Sequence, residues 1–424
     1  MPLYLRDVTR WDPATGRLEH GDLVVESGPE GVVRPADRPI AGGDTVLYCG
    51  GRLALDGLTC AHHHLYSALA RGMPAPPRAP RGFAEILELV WWRLDRSLDA
   101  DMVRASALAG AMDALRCGVT RIVDHHASPF AAAGALPLMA EALDEVGVAH
   151  VLCLELSDRD GPAVADAGLD ATDAYLSSGR PGMVGLHASF TVGDTLLRRA
   201  VDLARRHGVG IHMHVAEDYV DQERCLDEHG LPVVIRLAEH GVLDLPGTLL
   251  AHCIHIDERE RARLRESGAW VVHNHESNLN NSVGLPRRHC LDPDRLLIGT
   301  DGLHGDMLRA MRASYLAGQT AGEMTPADAW NSLAANRRYL DAHHRAAARA
   351  NDLVLLDYDP PTPLTAGNLP GHACFGLDAR HVRTVIAGGR VVVDEGRLTT
   401  IDEPAARAFC REQAQRLWAA MASC

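Results

Sequence analysis

The chain has 424 residues, 46% hydrophobic and only 4% aromatic, enough for one large domain or a large domain with a small companion. Its formal net charge of −14 comes without a basic run, which argues against nucleic acid or an acidic membrane surface as a partner. The first ten residues carry charges instead of an apolar signal, and no stretch reaches the ~18 apolar residues of a spanning helix, so a cytoplasmic location is expected.

All 42 basic residues are arginines, and lysine is absent. That removes a phosphate-loop lysine, a Schiff-base lysine and a carboxylated lysine bridging two metals. Ten cysteines are scattered without a Cys-x-x-Cys pair, which fits reduced thiols and no disulfide framework.

Residues 1–52 read as short strands separated by Gly, Pro and Asp, a small β layer ahead of the main domain. From residue 53 the texture changes. An apolar run (Leu53, Leu55, Leu58) leads into Cys60-Ala61-His62-His63-His64, the polar end of a buried strand. Segment 83–94, with Trp91-Trp92, is helix-like. Segment 99–115 has apolar residues at helical spacing (Met102, Ala105, Leu108, Met112, Leu115), begins at an Asp cap and stops at Gly118. A β-branched strand at 119–123 follows and ends in Asp124-His125-His126. The unit recurs: helices at 136–146, 195–207 and 258–266, each with a glycine stop, precede strands at 149–156, 210–215 and 269–272. Further strands are predicted at 183–186, 248–251 and 296–298.

This repeat implies parallel strands with crossover helices. About eight strands point to a (β/α)8 TIM barrel over residues 53–349. A doubly wound sheet would normally show a Gly-rich first turn, and no GxGxxG follows any strand. After residue 350 strand texture returns at 352–356, 382–386 and 390–393, with a hairpin signal at Gly388-Gly389 and a closing helix at 403–421. Segments 1–52 and 350–424 are therefore expected to meet in one small composite β-sandwich.

Chemistry in such barrels collects at the C-terminal strand ends. Here those ends hold His62 and His64, His125 and His126, Glu155, His187, His214 to Glu217, His252, His273 and Asp301. With 23 histidines in 424 residues, chance placement does not explain six such ends. His62 and His64 share one face of their strand, and with a third imidazole and Asp301 they can hold one divalent ion. His212 and His214 compete for the third position; His214 is nearer the strand end, and Glu217 lies three residues on. A divalent ion lowers the pKa of bound water towards ~7. Glu217 can then move a proton to a leaving nitrogen, Asp301 can accept the water's proton, and His252 can orient the water or polarise the substrate.

The His-x-His at 62–64, the His-x-x-Glu at 214–217, the sixth-strand His252 and Gly299-Thr300-Asp301-Gly302, in this order, resemble the amidohydrolase superfamily. The resemblance is to its mononuclear cytosine-deaminase and triazine-hydrolase branch and spans essentially the whole chain. Longer runs are similar to the SsnA-like aminohydrolases. Among them are His64-Leu65-Tyr66-Ser67-Ala68-Leu69-Ala70-Arg71-Gly72, Asp124-His125-His126-Ala127-Ser128-Pro129, Ser157-Asp158-Arg159-Asp160-Gly161 and Glu276-Ser277-Asn278. The resemblance implies the metal set His62, His64, His214 and Asp301, with His187 contacting substrate. Cys60, where relatives carry asparagine, and His275, where they tend to carry proline, depart from the pattern without removing a ligand.

The expected function is metal-dependent hydrolytic deamination of an aminated nitrogen heterocycle (purine, pyrimidine or pterin-like), using one ion, zinc or alternatively iron. Ring-amide hydrolysis or chloride displacement from a triazine-like ring is the second reading, and an inactive scaffold barrel the third. Further substrate contacts are expected from His126, Trp92 and His304, and the expected assembly is a homodimer or higher homo-oligomer.

Overall fold

The computed structural model describes residues 2–423 apart from Arg38, Gly42, Cys290 and Glu323. Its centre is a ring of eight parallel strands: β1 (Leu58–His63), β2 (Val119–His126), β3 (Ala149–Leu156), β4 (Val184–Leu186), β5 (Ile211–Val215), β6 (Leu249–His252), β7 (Trp270–His273) and β8 (Leu296–Ile298). Each pairs with the next in sequence, and the backbone N–H groups of Thr300 and Asp301 donate to the His62 carbonyl at 3.1 and 3.2 Å, joining the last strand to the first. The ring is the (β/α)8 barrel that the repeat implies.

The helices begin and end where the sequence gives reasons. Helix Ala100–Arg116 starts on Asp99, whose carboxylate accepts from the Met102 N–H. Helix Asp194–His207 stops at Gly208, which adopts a left-handed φ of 65°. Helix Glu258–Glu266 has a reciprocal cap between Asp257 and Glu260. Small and β-branched residues (Ala61, Val123, Val151, Ala251, Val272) fill the barrel's interior, and Tyr339 packs with them, its hydroxyl donating to the Gly247 carbonyl at 2.8 Å.

A second sheet has nine strands drawn from both ends of the chain. Strand Leu353–Leu356 pairs antiparallel with Leu53–Asp56, which in turn pairs parallel with Leu3–Asp12. The apolar run near residue 55 is thus two strands and not one. Leu53–Asp56 belongs to the terminal sheet, and the barrel begins only after Gly57. A Cβ at Gly57 would lie 2.3 Å from Thr120 Oγ1 and 2.9 Å from Asp352 Cβ, so only glycine permits the crossing. Strands Val382–Ala387 and Arg390–Asp394 form the hairpin signalled by Gly388-Gly389. Helix Glu403–Ser423 returns to the barrel: Trp418 donates its indole N–H to the Leu69 carbonyl at 2.9 Å. Among the described residues no helix is long and apolar enough to cross a membrane.

The two sheets meet at a buried ion pair. Arg121, on β2, lies 3.3 Å from Asp352, both fully buried, and its guanidinium donates to the carbonyls of Gly57 and Arg349 at 2.6 and 2.9 Å. Removing one partner leaves a buried charge uncompensated. Arg121→Met is therefore expected to lower stability by ~3–5 kcal/mol. Denaturant unfolding that leaves the midpoint within experimental error of wild type would show that the pair does not join the sheets.

Candidate functional site

The β1 end fixes the first two imidazoles. Pleating turns His62 and His64 inward and sends His63 outward, where it meets Thr300 Oγ1 at 2.8 Å. His64 Nδ1 donates to the His125 carbonyl at 2.6 Å, and His214 Nδ1 donates to the His187 carbonyl at 3.0 Å. Carbonyls only accept, so both rings present Nε2 to the cavity, and these two Nε2 atoms are 3.1 Å apart. Asp301 Oδ1 is 2.9 Å from His64 Nε2 and 3.7 Å from His62 Nε2. His62 Nδ1 is held by His212 Nε2 at 2.8 Å, so His212 backs His62 from deeper in the barrel.

Asp301 and His252 both adopt left-handed backbone angles, with φ of 53° and 71°. Such strain at non-glycine residues persists only where the surroundings over-determine it, and here it aims two side chains into one space. Gly299 lets β8 pass over β1: a Cβ there would sit 2.8 Å from His62 Cβ and 2.3 Å from Asn274 Oδ1. Ser277 Oγ donates to Asp301 Oδ2, and His252 Nδ1 donates to Asn278 Oδ1 at 2.8 Å. Asn278 therefore orients His252, whose Nε2 lies 3.5 Å from Glu217 Oε2 and 3.8 Å from Asp301 Oδ2.

The electrostatics follow from burial and proximity. Burial pushes Glu217 up to about 7, with His252 pulling the other way and Asp301 adding to the rise. Burial opposes charge on His64, but the hydrogen bond to Asp301 and its charge outweigh it and hold the imidazole at about 9. Asp301 is pulled well below its ordinary range despite burial, by His62 and His64.

Three imidazole nitrogens and one carboxylate within this space can hold a divalent ion. His62, His64 and Asp301 form one group whose ligating atoms lie within 4.8 Å of one another, and His62, His214 and His252 form another. The Nε2 atoms of His62 and His252 are buried without a hydrogen-bond partner, and the facing Nε2 atoms of His64 and His214 can share one proton at most. That donor set suits zinc or iron.

A cavity opens above this cluster. It is lined by His64, His187, His214, Glu217 and Asp301, and its outer wall includes Trp91 and Trp92. Leu87–Trp91 is a π-helical turn inserted between helical turns, a feature common at functional sites, and it places both tryptophans on the cavity. The Trp92 ring stands edge-on to His187 at 6.2 Å.

Two expected contacts are not there. His126 is fully buried off the cavity, its Nε2 2.8 Å from Ser128 Oγ, because alternation along β2 turns His125 and not His126 towards the imidazole cluster. His304 is engaged 2.6 Å from Glu276 Oε2 on a separate outer surface. Cavity residues not singled out from the sequence for the site include Asp95, Asn281, whose amide donates to Glu217 Oε1 at 3.2 Å, and Ser277. Of these three, Ser277 had a signal, the Glu276-Ser277-Asn278 run.

The sequence signature of the amidohydrolase family matches residues 54–392. The chain is 28% identical to a 5-methylthioadenosine/S-adenosylhomocysteine deaminase of Haloarcula marismortui, covering 94% of this chain and 95% of that protein. It is 30% identical to a protein of the same name from Moorella thermoacetica, over 85% and 86% of the two chains. In fold it is similar to a zinc-bound adenosine deaminase from Xanthomonas campestris, with a TM-score of 0.82, 18% identity and 98% of each chain covered.

Proposed function

Because this chain belongs to the amidohydrolase family, we propose that it is a hydrolytic deaminase of an aminated nitrogen heterocycle. The observation that carries the reading is Glu217 beside His252, over a set of imidazoles and one carboxylate that can hold an ion. The relatives' names, both of deaminases, support the same bond. His62, His64, His214 and Asp301 would hold one zinc, with iron as the alternative. A divalent ion there supplies Lewis acidity that makes a water proton removable near neutral pH.

The chain's own residues do the rest. His252, its Nδ1–H committed to Asn278, presents Nε2 between Glu217 and Asp301, where it orients the attacking water. Glu217 takes that water's proton as oxygen bonds to the amine-bearing carbon, then gives it to the leaving nitrogen. Ammonia departs, the remaining hydroxyl proton passes to the adjacent ring nitrogen, and the ring carbon keeps the oxygen as a carbonyl. A carboxyl pushed up to about 7 by burial is suited to both halves of this transfer.

Metal analysis together with ammonia release across aminated purines, pyrimidines and pterins tests the reading. One equivalent of zinc and ammonia release are expected. Ring opening or chloride release without ammonia would replace it.

His187 and His252 should differ in kinetics. His187 Nδ1 pairs with Thr191 Oγ1 at 2.6 Å, and its ring lines the cavity beside Trp92. His187→Ala is expected to raise KM several-fold with metal content unchanged. His252→Ala is expected to lower kcat ~10²-fold, because it acts on developing charge. Metal-free protein from either substitution would make that residue a ligand instead.

A further inference from the structure

Buried acceptors gather at one corner of the cavity, around Glu155, Asp95 and His187 with His125 behind them, and the donors beside them that have no partner are the Trp92 indole N–H and Arg159 Nη1. Glu155, at the end of β3, places Oε2 3.6 Å from His125 Nδ1. His125 commits its Nε2–H to the Leu186 carbonyl at 3.1 Å, so Nδ1 is a bare lone pair, fully buried and without a partner. A separation of 3.6 Å is too long for a carboxylic acid to donate to that nitrogen. His187 also faces this corner. Its Nδ1–H donates to Thr191 Oγ1, whose hydroxyl is committed to the Ala188 carbonyl at 3.1 Å, which leaves His187 Nε2 as an acceptor. The ligating atoms of Glu155, His187 and His214 lie within 4.8 Å of one another.

Asp95 extends the corner along the wall, and a single guanidinium backs both carboxylates. Arg159 Nη2 lies 2.5 Å from Asp95 Oδ2 and 3.6 Å from Glu155 Oε1, with its plane over the Trp92 ring. Arg159 is also 3.2 Å from Asp160, which Arg96 pairs at 2.7 Å, so two cations serve three acids. Asp95 Oδ1 is buried and unpartnered. Burial pushes Glu155 up to about 7 and Asp95 to about 6, with Arg159 pulling both back. Facing buried acceptors repel unless a donor or a cation lies between them.

We propose that Glu155 and Asp95 form a donor-reading subsite that takes a second N–H donor, or a positive charge, on the heterocycle. The substrate class is accordingly a diamino or protonated amino heterocycle, and not a ring whose remaining edge offers only acceptors or carries an anionic tail. This rests on the aminohydrolase reading and narrows it.

The test is equilibrium binding to the metal-loaded full chain, followed by tryptophan fluorescence, since Trp91 and Trp92 line the cavity. The probes are 2,4-diaminopyrimidine and 2,4-dimethoxypyrimidine, similar rings that differ in donors. The diamino ring is expected to bind at least tenfold tighter. Glu155→Gln, and separately Asp95→Asn, should reduce the preference to threefold or less with metal content unchanged. No binding of the diamino ring, equal binding of the two, or an unaltered preference in both variants overturns the subsite. Two equivalents of zinc per chain would put an ion between these acceptors and overturn it as well. A retained donor preference with no ammonia from any aminated ring would instead count against deamination and leave the subsite standing.

Discussion

Exchanging Glu217 for glutamine is expected to lower kcat by ~10²–10⁴-fold while the protein keeps its metal. The amide has nearly the same shape, so Asn281 and His252 keep a neighbour in place. What it loses is the ability to take a proton from water and return it to the leaving nitrogen. Glu217 is the carboxylate at the cavity that both lies outside the proposed metal set and touches His252. KM should change little, because the lost interaction belongs to the transition state. Metal analysis and steady-state kinetics on one preparation decide it. Turnover within threefold of wild type would move the proton carrier elsewhere, with Asp301 next in line.

The barrel and most of the cluster were legible in the sequence because two periodicities coincide there. Glycine-stopped helices alternate with β-branched strands, and each strand's last inward residue is polar. His62, His64, His214, His252 and Asp301 could therefore be placed at one mouth by counting alone. Alternation also separates His125 from His126, yet choosing between them needs the phase of β2 against its neighbours, which the run Asp124-His125-His126 does not carry. The boundary at Gly57 was hidden for a similar reason. Leu53, Leu55 and Leu58 are apolar throughout, and only contact with Thr120 and Asp352 shows that one sheet ends and another begins. Asp95 was illegible because the helix-like segment read from the sequence stops at Leu94, whereas in the structure helix Trp92–Arg96 carries Asp95, 1% exposed against Arg159. His304 shows the converse: proximity in sequence to Asp301 suggested the cavity, but Glu276 holds it on the outer surface.

The largest loss is expected from His214→Ala, and its contrast with His212→Ala decides which histidine of β5 is the ligand. Only Met213 separates the two, which share the inward face of the strand, so alternation alone cannot choose between them. Depth does. His212 lies one pleat lower, with Nε2 2.8 Å from His62 Nδ1, and that nitrogen is therefore occupied in holding His62. His214 presents Nε2 3.1 Å from His64 Nε2, while its Nδ1–H is fixed by the His187 carbonyl. Truncating His214 removes one of the three imidazoles proposed to hold the ion and opens a gap beside His64, so the ion should be lost and ammonia release should fall to background. Water would return from a pKa near ~7 towards its bulk value of ~15.7, which no side chain here could offset. Truncating His212 leaves every ligand in place but frees the His62 ring to turn, and loss of such an orienting partner typically costs ~10–100-fold in metal affinity or activity. Excess zinc should therefore restore His212→Ala and fail to restore His214→Ala. If added zinc instead rescues His214→Ala, or His212→Ala is the metal-free variant, the ligand assignment on β5 is reversed.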